Sequence, residues 1–307
     1  MRTNLKFILL WSSALALIGA LPHQAYAAAM GKVLNIVGRV DIVRGNRTRT
    51  LQVRDEFQAG DVLRVLPKSA ATLVYYAGGA RYALAAQSAC RATPNGPMTV
   101  TGAAPHTLSP LDVELVKAAG QTNAHYAGTV IRSTEEPGAP RRLQPLGGVR
   151  DPAVVLHWES PAAGTAASEL RWEVQVRSGE RAKTLWVRTL EAGATECVVP
   201  AGLLQAGRRY EWTVRAVGGE HNGASGQAFL ALLTPDEQAQ LQRLERRAAR
   251  HRTGPNDLDA SRLLAEVYEG RALYGDALRV WTEVALALPK DRDAAHRIAH
   301  LRAKLQQ

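Results

Sequence analysis

The sequence is short of cysteine and of acid. Its 307 residues include two cysteines, Cys90 and Cys197, and 28 acidic residues against 38 basic ones. Two cysteines allow one disulfide at most, so no disulfide framework supports the fold. Past residue 21 there is no apolar run of the roughly 20 residues that a bilayer demands. Also missing are the nucleophile elbow, the metalloprotease helix motif, the dinucleotide glycine fingerprint and the phosphate-binding loop, which sets aside the enzyme classes built on them. The deficit of acid leaves a formal charge of +10. Such a balance favours anionic surfaces such as phosphorylated glycolipids, cell-wall polymers or nucleic acid. The bases are scattered, however, and no platform of interleaved aromatics accompanies them, so nucleic acid is not an expected partner.

What is present starts at the N-terminus. Arg2 and Lys6 form a positive segment, Phe7 to Leu21 an apolar one, and Ala25-Tyr26-Ala27 a small-residue cleavage site. Together they read as a signal peptide, residues 1–27, cleaved after Ala27. The competing reading of the same run is a membrane anchor, for which about 15 apolar residues are short. Removal of Arg2 and Lys6 lowers the formal charge to +8. The expected location of the mature chain is periplasmic or secreted. An oxidising compartment would allow Cys90 and Cys197 to pair. They fall in different expected domains, and two isolated buried thiols are the alternative.

At 46% hydrophobic residues the chain can build real cores, and its length suits two or three domains. From Gly31 to about Thr101 the pattern is strand, turn, strand. Lys32 to Val37, Arg39 to Arg44, a run beginning at Leu51 to Val53, Val62 to Leu66, Ala71 to Tyr76 and Arg81 to Leu84 alternate or are β-rich. Gly45-Asn46, Ala59-Gly60-Asp61 and Gly78-Gly79 mark turns. Gly78-Gly79 lies between two strand runs and no helix carrying Lys and Ser/Thr follows, so it predicts a hairpin rather than a phosphate cradle. Short, evenly spaced strands imply a sandwich, barrel or β-roll-like stack.

Five pieces of this segment resemble the FecR domain, a bacterial periplasmic β-domain: Gly31-Lys32-Val33, Gly38-Arg39-Val40, Ala59-Gly60-Asp61-Val62-Leu63, Ser69-Ala70-Ala71-Thr72-Leu73 and Gly79-Ala80-Arg81-Tyr82-Ala83-Leu84. The resemblance covers about 70 residues. It departs at Ala77, where the family often has an acid. It departs also in architecture, because the iron-transport transducer has an anti-sigma segment and a membrane span ahead of this domain. The resemblance implies binding or scaffolding within the envelope.

Residues 109–150 are rich in Pro, Gly and Ala and read as a linker. Leu111 to Val116 and Thr129 to Ile131 are candidate extra strands, and Glu135 to Pro140 and Gly147-Gly148 the linker proper. From Asp151 to Leu233 strands return at Val154 to Trp158, Leu170 to Val176, Thr184 to Leu190 and Tyr210 to Val217. Tyr210, Trp212, Val214 and Ala216 share one face. The spacing resembles a fibronectin type III or immunoglobulin-like sandwich, with Trp158 at the early core-tryptophan place and Leu204 to Tyr210 as a tyrosine corner. Trp158, Trp172 and Trp212 read as core; Trp186 is left open.

Thr234-Pro235-Asp236-Glu237 forms a capping box, and Leu241, Leu244 and Ala248 continue at helical spacing to about Arg250. Leu264, Ala265, Tyr268, Ala277, Trp281 and Pro289 fall at the offsets of a tetratricopeptide-like helical hairpin, followed by a helix over Asp291 to Leu305. The expected fold is therefore multidomain and mainly β with a C-terminal α region: a FecR-like β-domain (28–108), a linker (109–150), a β-sandwich (151–233) and a helical region (234–307).

Candidate chemistry is thin. Asp293, His296 and His300 have the spacing of metal ligands, yet two solvated histidines on a basic helix explain them equally in outline and better in context. Asp55-Glu56 and Glu135-Glu136 are paired acids without a setting that separates their pKa values. Arg141-Arg142 and Arg246-Arg247 read as solvated faces or as phosphate and lipid-headgroup contacts. No catalytic, cofactor-binding or metal residue is assigned and no cofactor is expected. The expected function is that of an exported non-catalytic binding or scaffold protein of the envelope. Its partner would be an envelope protein or a cell-surface glycan, with peripheral contact to an anionic membrane surface. Sheet edges and the hairpin groove are its docking features. Signalling linked to iron uptake and a cell-wall-acting enzyme remain as alternatives.

Overall fold

A computed structural model describes residues 28–119, 138–160, 170–179, 183–218, 221–251 and 257–306. The first ten strands form two five-stranded sheets. One has the order β10-β7-β6-β1-β4, from β1 (Ala29–Val37), β4 (Glu56–Gln58), β6 (Ala70–Tyr75), β7 (Arg81–Leu84) and β10 (His106–Leu108). The other has the order β3-β2-β5-β8-β9, from β2 (Val40–Arg44), β3 (Arg47–Thr50), β5 (Val62–Val65), β8 (Ser88–Thr93) and β9 (Gly96–Thr101). Between them lies a core of Val33, Val40, Ile42, Phe57, Leu63, Leu73, Tyr75 and Cys90. Alternation dictates it: Ile42 pairs with Leu63 and Leu63 with Cys90, so one inward row crosses three strands.

The Gly78-Gly79 turn does join β6 to β7 as a hairpin, with φ of +74° and +67°. Gly79 has a second constraint, because a Cβ there would lie 2.0 Å from the Leu111 carbonyl oxygen. The run expected from Leu51 is not a strand. Residues 51–55 turn instead, with the Gln52 N–H donating to Asp55 Oδ2 at 2.7 Å, and the neighbouring strand is β3. Leu51 is apolar because it drops into the core, its N–H on the Val40 carbonyl at 2.7 Å.

The segment expected as a linker is largely structured where it is described. Leu111 to Val116, a candidate extra strand, leads instead into helix α1 (Val113–Ala119). Asp112 is the reason: its Oδ1 accepts from the N–H groups of Glu114 and Leu115 at 3.0 and 3.2 Å, an N-terminal cap. Thr129 to Ile131 lies outside the described residues. Farther on, β11 (Arg141–Gln144) and β12 (Gly147–Val149) are strands of the second β unit.

That unit also contains β13 (Val155–Glu159), β14 (Arg171–Ser178), β15 (Thr184–Leu190), β16 (Glu196–Val198), β17 (Arg209–Val217) and β18 (Ser225–Leu232). Its sheets run β11-β13-β16 and β12-β18-β17-β14-β15, with β12 parallel to β18 and the other pairs antiparallel. Tyr210, Trp212, Val214 and Ala216 are all buried on one face of β17. Trp158 meets Trp172 edge-on at 6.2 Å between ring centroids. Trp186 is half-buried. The Tyr210 hydroxyl accepts from the Gln205 N–H at 2.7 Å, closing the corner that the Leu204–Tyr210 spacing predicts.

The C-terminal region consists of α2 (Pro235–Arg250), α3 (Asp259–Gly270), α4 (Tyr274–Ala287) and α5 (Arg292–Leu305). The capping box on α2 is complete, with Thr234 accepting from the Glu237 N–H and the Glu237 carboxylate accepting from the Thr234 N–H. Ala265 and Ala277 are fully buried where α3 and α4 meet, and Tyr268 and Trp281 fill the space beside them. A single apolar cluster runs from the sandwich through Leu233, Leu241 and Leu273 into these helices.

Candidate functional site

The closest gathering of ionisable side chains lies where the first β unit meets the helices. On β1, residues Gly31 to Leu34 are all buried, so Lys32 cannot reach solvent. Its Nζ donates instead to Glu266 on α3, and both side chains are more than nine-tenths buried. Arg54 stands in the 51–55 turn with φ +74°, a left-handed conformation that aims its side chain at the same helix. Its Nε lies 3.0 Å from Glu266 Oε1, its Nη2 3.3 Å from Glu269 Oε1, and its guanidinium 5.2 Å from the Trp281 ring centre. Glu266 and Glu269 share a face because they are three apart on α3. Glu269 is filled from other sides too, by Trp281 Nε1 at 2.7 Å and Arg297 Nη1 at 3.3 Å.

A second group sits nearby. Arg81, on β7 and only 3% exposed, donates from Nε to the Ser109 carbonyl, from Nη1 to Asp257 and Asp259 at 2.7 Å each, and from Nη2 to Asp257 at 2.9 Å. Arg262 pairs with Asp291, the N-cap of α5. Beside them is a cavity of about 350 Å³ whose wall includes Asn35, Thr72, Arg81, Asp259 and Arg262. Burial pushes the Asp259 carboxyl above its ordinary range, and the hydrogen bonds from Arg81 pull only partly against it. Burial likewise raises Asp293, against the attraction of Arg54.

The third group joins the sandwich to the helices. Arg150 follows β12 and lies 2.8 Å from Glu245 and 3.1 Å from Asp276, with its guanidinium 5.2 Å above the Tyr268 ring. The Tyr268 hydroxyl donates to Glu245 at 2.8 Å, and burial first and this bond second push its pKa up to about 12. Gly147 and Gly148, expected as linker, are placed by close approach. A Cβ on either would come within 2.4 or 2.5 Å of the Ala272 or Arg271 carbonyl oxygen, and the Gly148 N–H donates to Ala272 at 3.0 Å.

No family model matches the chain, and no curated protein matches it. Among solved structures it is similar to a segment of two fibronectin type III domains from chicken tenascin. The identity is 11%, the match covers 67% of this chain and 95% of that one, and the TM-score is 0.21.

The residues singled out in the sequence are dispersed. His296 and His300 are exposed on α5, while Asp293 turns inward to Arg297 at 3.8 Å. Among the described residues no group of three or more His, Cys, Asp or Glu is placed to hold a metal. Asp55 pairs with Arg49 and Glu56 accepts from the Tyr76 hydroxyl at 2.6 Å, so the two acids serve different partners. Glu135 and Glu136 lie outside the described residues. Arg142 pairs with Glu159 at 2.5 Å on the surface. Cys90 and Cys197 are free and buried in separate cores. Burial raises the Cys90 thiol to about 12 and raises Cys197 as well, which suppresses the thiolate that reactivity requires.

Lys32 and Arg81 fall within pieces that resemble the FecR domain, and Arg54 and Glu266 carry no local motif; nothing in their sequence neighbourhood marks any of the four as a site residue. One signal was available for Lys32: a cation inside Gly-Lys-Val-Leu, a run too apolar to have a wet face. The chemistry of the three groups is mutual neutralisation. Lys32, Arg54, Arg81 and Arg150 each meet carboxylates across a boundary between structural units, in geometry suited to holding those units together.

Proposed function

We propose that the chain is an exported, non-catalytic binding or scaffold protein of the cell envelope. In this reading the first β unit is FecR-like, the sandwich is of fibronectin type III or immunoglobulin type, and α3 with α4 is a tetratricopeptide-like hairpin. One observation carries it: the densest clusters of charge, around Lys32, Arg54 and Arg81, bridge structural units with paired, hydrogen-bonded side chains. Charges fixed in this way hold modules in one relative arrangement, which is what a scaffold requires of them. The hairpin face bearing Glu266, Glu269 and Trp281 holds Lys32 and Arg54 of its own chain. Partners are therefore expected on other surfaces, including the β9 and β15 sheet edges.

The test is crosslinking in the native envelope followed by identification of the attached molecules. A defined envelope protein or a cell-surface glycan is the expected catch. Recovery of the chain in the cytoplasm, with residues 1–27 intact and no envelope molecule attached, would overturn the reading.

A further inference from the structure

Helix α2 has two unlike sides. Leu241, Leu244 and Ala248 are buried on one. On the other, Arg243, Arg246 and Arg250 are exposed at i, i+3 and i+7, a line about 10 Å long at 1.5 Å per residue. Among the described residues these three have no acidic partner, and the acids of the same helix that lie nearest are engaged elsewhere. Glu245 holds Arg150 and Tyr268, and Glu237 completes the cap. The Arg246-Arg247 doublet of the sequence is divided by the fold. Arg247 turns to Asp112 at 2.7 Å and Glu114 at 3.2 Å, while Arg246 stays in the outer row. Like charges at this spacing cost helix stability, an expense that the helix C-terminal dipole offsets only near Arg250.

We propose that this outer row docks onto the phosphate headgroups of an anionic lipid bilayer. Charge complementarity selects a polyanion. The row lies on a convex surface, so a lone phosphate meets one or two guanidinium groups, whereas an array of headgroups meets all three. Single-stranded nucleic acid would be gripped by bases stacking on aromatic rings beside the cations, and α2 carries no aromatic residue.

The test is co-sedimentation of the chain, as recovered from its cells, with phosphatidylglycerol–phosphatidylcholine vesicles at low salt. Phosphatidylcholine vesicles read any uncharged contribution. Each arginine near such a surface is worth about a fivefold change in partition, so Arg243→Gln/Arg246→Gln/Arg250→Gln should lose roughly a hundredfold. Salt near 0.5 M should abolish the difference. A triple change of equal charge on the first β unit, Arg47→Gln/Arg64→Gln/Arg91→Gln, should cost no more than about fivefold. Wild-type binding by the α2 triple variant, or an equal loss in the β-unit control, overturns the proposal. So does tighter binding to duplex DNA than to vesicles. Because the altered side chains are exposed, a thermal melt matching the wild type is expected, and Arg246→Glu alone gives a second reading. Vesicle binding and envelope crosslinking fail independently.

Discussion

Two junctions hold this molecule together, and they are built from different materials. Between the sandwich and the helices the contact is apolar and close. Leu233, Leu241 and Leu273 belong to one continuous core, Gly147 and Gly148 lie against the α3–α4 turn, and Arg150 adds ion pairs at the rim. Between the first β unit and the helices the contact is mostly ionic. Lys32, Arg54 and Arg81 reach across to Glu266, Glu269, Asp257 and Asp259, while Leu34 and Val74 are the members of the first β unit that join the apolar cluster of the sandwich and helices. The first β unit keeps a separate core of its own. The difference matters because buried apolar area stabilises directly, whereas a buried ion pair roughly balances its desolvation cost and chiefly fixes geometry.

The largest effects should come from breaking either junction at its centre. Trp212→Ala removes a fully buried ring from the shared core and should cost about 3–5 kcal/mol. In calorimetry the sandwich and helices should lose stability together while the melting of the first β unit stays in place. A shift of that unit by the same amount would show the two cores to be one. Arg81→Met leaves the partly buried Asp257 and Asp259 without the Arg81 cation and should cost about 2–3 kcal/mol. The triple change Arg81→Met/Asp257→Asn/Asp259→Asn should recover most of that loss in a urea titration. If the triple variant is as unstable as the single one, the ionic junction contributes stability as well as geometry. A smaller effect, about 0.5–1.5 kcal/mol, is expected for Tyr210→Phe, which takes the acceptor from the Gln205 N–H and touches neither junction.

This contrast also explains what could be read from the sequence. Strand parity placed Trp158, Trp172 and Trp212 in the core, because each obeys the local period of two. Thr234 and Glu237 announced their own helix start for a similar reason: the cap is a contact three residues long. Leu111 to Val116, a candidate strand in sequence, leads into a helix: a short apolar run has no decisive period, and the deciding group is the Asp112 cap. The ionic junction was illegible for a different reason. Lys32 and Glu266 are 234 positions apart, and Arg81 and Asp257 are 176 apart. No spacing rule links such residues. Gly147-Gly148 shows the same limit, since glycine chosen for close approach looks in sequence like glycine chosen for flexibility.

The smallest expected effect sharpens the comparison at the α1–α2 contact, a charged pair outside both junctions. Burial alone would raise the Asp112 carboxyl, but the hydrogen bond from Arg247 and those from the Leu115 and Glu114 N–H groups hold it below its ordinary value of 3.8. A carboxyl with a depressed folded pKa stabilises the fold above its unfolded pKa, and the contribution is lost as pH falls through the folded pKa. Asp112→Asn should therefore be less stable than the wild type at pH 7. The gap should hold down to about pH 4 and then narrow with further acidification, as the wild-type carboxyl takes up its proton. Parallel urea titrations from pH 7 downward read this directly. A gap that stays constant below pH 4 would mean that the loss does not come from the Asp112 charge, since asparagine caps a helix about as well as aspartate.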